Sequence, residues 1–191
     1  PSRVKVISII HNEKQLIRKA IREDREAQRK LYEKHAGRML SVCRQYIADV
    51  QQAEEAMCNG FLKVFKHLES YKHEGSFDGW VRKIMVRESI SYLRQQNKIK
   101  FSDYEVEKTG AVYNNVDSTL EVEHIQQLID SLPEGYRAVF VMFAVEGYKH
   151  TEIAEILNIS ENTSKSQLFK ARKMLQQKIK VFDVRAKEVN E

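Results

Sequence analysis

The sequence predicts an all-α protein: two small helical domains joined by a flexible linker, the second containing a helix-turn-helix. Three observations lead there. The chain has 191 residues, room for one medium or two small domains. Only 7 Gly and 2 Pro interrupt it, which leaves little material for tight hairpins. Apolar residues recur at helical spacing in two blocks, with a stretch between them where that periodicity fails. An apolar content of 42% is enough to bury a core and argues against wholesale disorder.

The first block covers residues 14–96. Leu16, Ile17, Ala20, Ile21, Ala27 and Leu31 fall near helical spacing, and a second helix is expected over residues 35–46. The clearest stripe is Ala53, Ala56, Met57, Gly60, Phe61, Val64, Phe65 and Leu68, with Asp49 placed to cap its start. Gly75 and Ser76 break the pattern, and a fourth helix starts near Phe77. Residues 97–121 are polar and aperiodic, basic at first and acidic further along, and read as the linker. The second block covers residues 122–180. Pro133 suits a first helical position, and Gly147 ends the helix that follows it. Asn158 stands where a left-handed backbone is expected, and Ser160 can cap the last helix. The tail after Lys180 is polar and expected to fray. Residues 4–10 are apolar but few.

Composition excludes several classes. Lys and Arg number 32 against 27 Asp and Glu, a mild basic bias of +5 that suits a polyanionic partner. Two cysteines, Cys43 and Cys58, make no disulfide framework and no C-x-x-C pair. The six histidines are scattered without metal-ligand spacing, so no metal is expected, and each reads as a surface or half-buried side chain. No nucleophile, acid–base pair or other catalytic constellation stands out, so no enzyme and no cofactor is expected. No signal peptide and no apolar run of membrane-spanning length is seen; the expected location is a reduced cytoplasm without membrane insertion.

Two faces look built for nucleic acid. A short helix, a tight turn and a longer helix form the helix-turn-helix pattern. On a wheel at about 100° per residue, Ser164, Leu168, Ala171 and Leu175 turn inward. Asn162, Ser166, Phe169, Lys170 and Lys173 lie opposite, with Thr163 and Lys165 flanking. In a major groove such a face would use Asn and Ser on base edges, Phe on a thymine methyl and Lys on phosphates. The second face is on the fourth helix, where Lys83, Arg87, Arg94 and Lys98 project within an arc of about 60°, with Ser91 near it. A stripe of that kind can follow the phosphates of one strand. The preceding run Tyr71-Lys72-His73-Glu74-Gly75-Ser76-Phe77, with Trp80 beyond, could form a shallow pocket for an extruded base. The plainer possibility is a helix-to-helix loop whose aromatic rings cap the core.

At these residues the chain resembles a known family, the sigma factors of bacterial RNA polymerase. Ala53-Glu54-Glu55-Ala56-Met57-Cys58-Asn59-Gly60-Phe61-Leu62-Lys63-Val64-Phe65 looks like the polymerase-binding helix of sigma domain two. Phe77-Asp78-Gly79-Trp80-Val81-Arg82-Lys83-Ile84 and Ser91-Tyr92-Leu93-Arg94 look like its promoter-melting segment and −10 reading helix. Leu132-Pro133, Glu152-Ile153-Ala154-Glu155-Ile156-Leu157 and residues 163–172 look like sigma domain four. No separate domain three lies between them, which is similar to the extracytoplasmic-function group. Several positions depart from the usual pattern. Cys58-Asn59 replaces Gln-Glu, Arg87 and Ser91 stand for Asn and Asp, and Lys149 takes the place of a Ser or Thr cap. Asn158 stands for Gly and Gln167 for Arg.

The resemblance implies that residues 14–96 are domain two, 97–121 the linker and 122–180 domain four. It implies contacts from Glu54, Glu55, Asn59 and Lys63 to the largest subunits of core RNA polymerase. The final helix would read the −35 duplex of promoter DNA. The Tyr71–Phe77 region and the basic stripe would open and hold the −10 strand. An anti-sigma factor is an expected partner. The alternative is a stand-alone helix-turn-helix regulator whose N-terminal helices form a sensory or interaction domain.

Overall fold

The computed structural model describes residues 13–96 and 120–188, with side chains described for 13–96 and 124–180. Residues 4–10, most of the expected linker and Lys98 lie outside that range. The described residues are helical, with no strand among them. They form two compact units, divided between Tyr92 and Leu93.

The first unit opens with α1, residues 13–21, and α2, Arg25–Tyr46. The sequence pattern placed this break nearer residue 35. It falls instead at residues 22–24, where Glu23 takes a left-handed backbone (φ 61°) and the Asp24 carboxylate accepts from Ala27 N–H at 2.9 Å. No Gly or Pro marks it, so the apolar stripe reads straight across. Helix α3, Val50–Lys66, is capped as expected: Asp49 accepts from Gln52 N–H at 2.9 Å. A single 3₁₀ turn, Leu68–Ser70, leads to the loop before α4, Phe77–Gln95. Helices α2 and α3 pack against each other, and their inward stripes supply much of the buried core. Helix α4 comes close enough to α3 that a Cβ on Gly60 would lie 2.3 Å from Met85 Sδ.

The second unit holds α5, Leu120–Asp130; α6, Glu134–Ala144; α7, His150–Leu157; and α8, Glu161–Glu188. Pro133 stands one place earlier than expected, as the N-cap of α6. Leu132, Tyr136 and Ala171 form a buried cluster, with Phe140, Met174 and Leu175 packed on it. The α5–α6 corner is closed by Arg137, only 4% exposed, whose guanidinium donates to the backbone oxygens of Ile129, Asp130 and Leu132 at 3.1, 2.7 and 2.8 Å. Those carbonyls at and just beyond the end of α5 would otherwise need other donors. Gly147 has φ +74° past the end of α6. The backbone of α8 stays helical to Glu188, where fraying was expected beyond Lys180.

Candidate nucleic-acid interface

The turn between α7 and α8 has the geometry a helix-turn-helix requires. Asn158 ends α7 in the left-handed region, φ 54° and ψ 52°, where Asn is tolerated. Ser160 Oγ accepts from Thr163 N–H at 3.0 Å and so caps α8. Lys149 offers no Ser or Thr oxygen to α7, but its own N–H donates to the Glu152 carboxylate at 2.8 Å. One half of a capping box therefore survives the departure.

The outward face of α8 is as the wheel predicts. Asn162, Lys165, Ser166, Phe169 and Lys173 are exposed, and Thr163 and Lys170 half-buried. Phe169 is 69% exposed, costly for an aromatic ring with nothing to cover it. Ser164, Leu168 and Ala171 are buried behind this face and Leu175 partly so. Lys165 pairs with Glu161 one turn earlier at 2.6 Å, and that ammonium lowers the Glu161 carboxyl below its usual range. Gln167, where Arg is usual, is buried rather than presented.

On α4, Lys83, Arg87 and Arg94 are exposed and Ser91 is half-buried. The aromatic residues divide differently. Phe77 and Tyr71 are buried, and Trp80 is half-buried. Their centroids lie 5.3 Å (Tyr71–Phe77), 5.4 Å (Tyr71–Trp80) and 5.9 Å (Phe77–Trp80) apart. Burial raises the Tyr71 phenol, with the Glu13 charge adding to it, and its O–H donates to Gly75 carbonyl at 2.9 Å. Tyr71 and Phe77 thus belong to the core beneath the exposed residues 72–76, while Trp80 keeps part of its ring open. Gly75 lies above at φ +91°, and Ser76 Oγ accepts from Gly79 N–H at 3.1 Å at the start of α4.

The polymerase-facing candidates on α3 are not equally available. Glu54 is exposed and Asn59 half-buried. The Glu55 carboxylate accepts from Tyr92 O–H at 3.1 Å, and Lys63 is ion-paired with Glu88 of α4. The middle of the outer face is Leu62, 68% exposed, with Cys58 one turn before it. Leu62 had one signal in the sequence, a leucine falling outside the apolar stripe. His35, expected at the surface or half-buried, is 2% exposed, with Nε2 at 3.0 Å from Glu13 and Nδ1 at 3.0 Å from Asp78. Lys34 and Arg38 stand on the outer sides of those carboxylates. Among the described residues no group of three or more His, Cys, Asp and Glu could hold a metal ion, and no helix is long and apolar enough to cross a membrane.

The model of sigma-70 region 2 matches residues 31–99, and that of sigma-70 region 4 matches residues 123–175. The chain belongs to the sigma-70 family. Its relatives place it among the extracytoplasmic-function sigma factors. It is 24% identical to the sigma factor SigW of Bacillus subtilis, over 87% of this chain and 96% of that one. It is 25% identical to the sigma-E factor of Haemophilus influenzae, over 86% and 93%. The solved sigma factor RpoE of Bartonella quintana, in complex with the anti-sigma factor NepR, has the same fold at a TM-score of 0.53 and 18% identity, over 80% of this chain and 96% of that one. As a sigma factor, the protein directs transcription initiation by RNA polymerase at promoter DNA. A stand-alone regulator would leave the match over residues 31–99 unaccounted for.

Proposed function

We propose that this sigma factor divides promoter opening between two faces, at the residues named above. Residues 14–96 act as domain two, 97–121 as the linker and 122–180 as domain four. Helix α3 docks on the largest subunits of core polymerase through Glu54, Glu55, Asn59 and Lys63. Helix α8 enters the −35 major groove with Asn162, Thr163, Lys165, Ser166, Phe169, Lys170 and Lys173. Residues 71–77 and Trp80 receive an unstacked −10 base. Lys83, Arg87, Ser91, Arg94 and Lys98 hold the strand beside it. The observation that carries the reading is the outward face of α8, where Phe169 is exposed among amide, hydroxyl and ammonium groups.

The energetics suit a subunit rather than an independent binder. Extruding a base costs a few kcal/mol. Many phosphate and stacking contacts must offset that, and the net charge is only +5. The protein is a non-enzymatic initiation subunit in this reading, working in the cytoplasm while polymerase performs the chemistry. An anti-sigma factor is its expected regulator, as in the complex formed by its Bartonella fold relative.

Transcription in vitro with core polymerase on a randomised promoter library tests the reading. The free protein is expected to bind duplex weakly and core enzyme tightly. Tight, sequence-specific duplex binding without association with core enzyme would overturn it.

A further inference from the structure

At the start of α8, one side-chain hydrogen bond runs to His150 of α7. Its imidazole Nδ1 and Ser164 Oγ are hydrogen-bonded at 2.9 Å. The same ring stacks on Phe143 of α6, centroids 4.7 Å apart and planes 23° from parallel. Phe143 in turn carries the Arg172 guanidinium of α8, 5.5 Å from its centroid. One residue at the first position of α7 therefore ties together all three helices of the DNA-reading half of the unit.

Ser164 is fully buried, yet it lies in the first turns of α8 between Thr163 and Lys165 of the DNA face. A buried hydroxyl requires a partner, and His150 supplies it. Further along α8 the anchors are apolar: Ala171, Met174 and Leu175 against Leu132, Tyr136 and Phe140. Apolar burial is non-directional, whereas a hydrogen bond falls off steeply with angle. Base-edge readout needs side chains held to a fraction of an ångström. The directed restraint is thus located at the end of α8 that carries Asn162, Thr163 and Ser166.

We propose that His150 is a positioning residue that sets the angle of α8 in the groove, and so the −35 preference, through its bond to Ser164. This rests on the reading that α8 enters the −35 element. The imidazole needs no contact with DNA for the role.

The test uses the full chain with core polymerase on templates with a fixed −10 element and a randomised −35 element. Ser164→Ala removes the hydroxyl and raises helix propensity, so any change is not due to fraying. His150→Phe keeps a flat ring on Phe143 and removes the bond. Each variant is expected to lower the discrimination between the favoured −35 sequence and its single-base variants by about tenfold. The double variant is expected to match the single ones, because the bond is already absent in each. Core binding and −10 single-strand binding are expected to stay at wild-type levels. Unchanged −35 discrimination in Ser164→Ala, or strictly additive losses in the double variant, would overturn the proposal. A wild-type protein with no −35 preference would overturn the underlying reading of α8 as well.

Discussion

His35 Nδ1 meets Asp78 Oδ1 at 3.0 Å, so a buried ring of α2 holds the first turn of α4. The other ring nitrogen faces Glu13 at 3.0 Å, which brings α1 into the same network. Phe77, edge-on to the imidazole at 5.3 Å, links this network to the aromatic rings beneath residues 72–76. His35→Phe keeps the shape and removes both polar contacts. The two carboxylates keep Lys34 and Arg38 and some solvent. The expected loss is therefore near the low end of ~1–3 kcal/mol for orphaning partly buried groups. Trp80 is the single tryptophan, so its fluorescence during urea unfolding follows this unit. An unchanged midpoint would mean that the network is idle.

The two thiols are expected to behave oppositely. Burial pushes Cys43 from an ordinary 9.0 up to about 11, whereas Cys58 is exposed on α3. A maleimide at pH 8 is expected to label the native chain once, at Cys58, and twice only after unfolding. The linkage has a definite sign. Between pH 9.0 and about 11 the unfolded chain releases the Cys43 proton and the folded chain retains it. Stability is then lost as pH rises through that window. If α3 is the polymerase-docking helix, the Cys58-labelled protein is also expected to lose core binding while its unfolding midpoint stays put. Equal labelling of both thiols in the native state would contradict the burial.

Gly60 tests the α3–α4 contact. A Cβ there would lie 2.3 Å from the Met85 sulfur, which is itself fully buried. Gly60→Ala is expected to cost ~1–3 kcal/mol in overpacking, offset by roughly 1 kcal/mol of helix propensity. Met85→Ala alone opens a cavity and costs about 2–5 kcal/mol. The pair together is expected to cost clearly less than the sum, since one change makes the space that the other fills. Additive midpoint shifts would mean that the helices part freely at this point.

What was legible in the sequence follows from how local each signal is. The caps at Asp49 and Ser160 and the left-handed Asn158 act within a few residues, and the structure has all three. The two faces of α8 follow from a period of 3.6 and needed nothing else. The break at residues 22–24 was missed because a left-handed glutamate carries no composition signal. His35, Arg137 and the Lys63–Glu88 pair were missed because their partners are distant in sequence or are backbone carbonyls. Charge on a helical wheel marks a residue as outward. It does not say that another helix supplies the counter-ion.

Lys173 is exposed on the outward face of α8, two residues from buried Ala171. Its expected partner is a phosphate, so Lys173→Glu is predicted to weaken holoenzyme binding to −35 duplexes whatever their base sequence. The slope of log affinity against log salt is expected to become shallower by about one for each phosphate that is no longer neutralised. Binding of a −10 single strand is expected to be nearly unchanged. If both activities fall together, the two faces are not separate.

Ser76 gives the sharpest test of base capture. Its side chain is exposed beside Gly75, whose φ of +91° holds the loop in a shape that only glycine adopts without strain. Tyr71 and Phe77 are core rings, so Tyr71→Ala would confound stability with function. Ser76 avoids that problem but has a second task, since its Oγ caps Gly79 N–H. Ser76→Ala removes the cap at a cost of ~1 kcal/mol and leaves the space open. Ser76→Trp removes the cap equally and fills the space. The comparison between the two isolates occupancy. A base stacked in such a site is worth ~1–3 kcal/mol, so open-complex formation is expected to fall by roughly one to two powers of ten in Ser76→Trp relative to Ser76→Ala, at matched unfolding midpoints. Equal opening rates for the two variants, measured with permanganate on the same promoter, would mean that no base enters this loop.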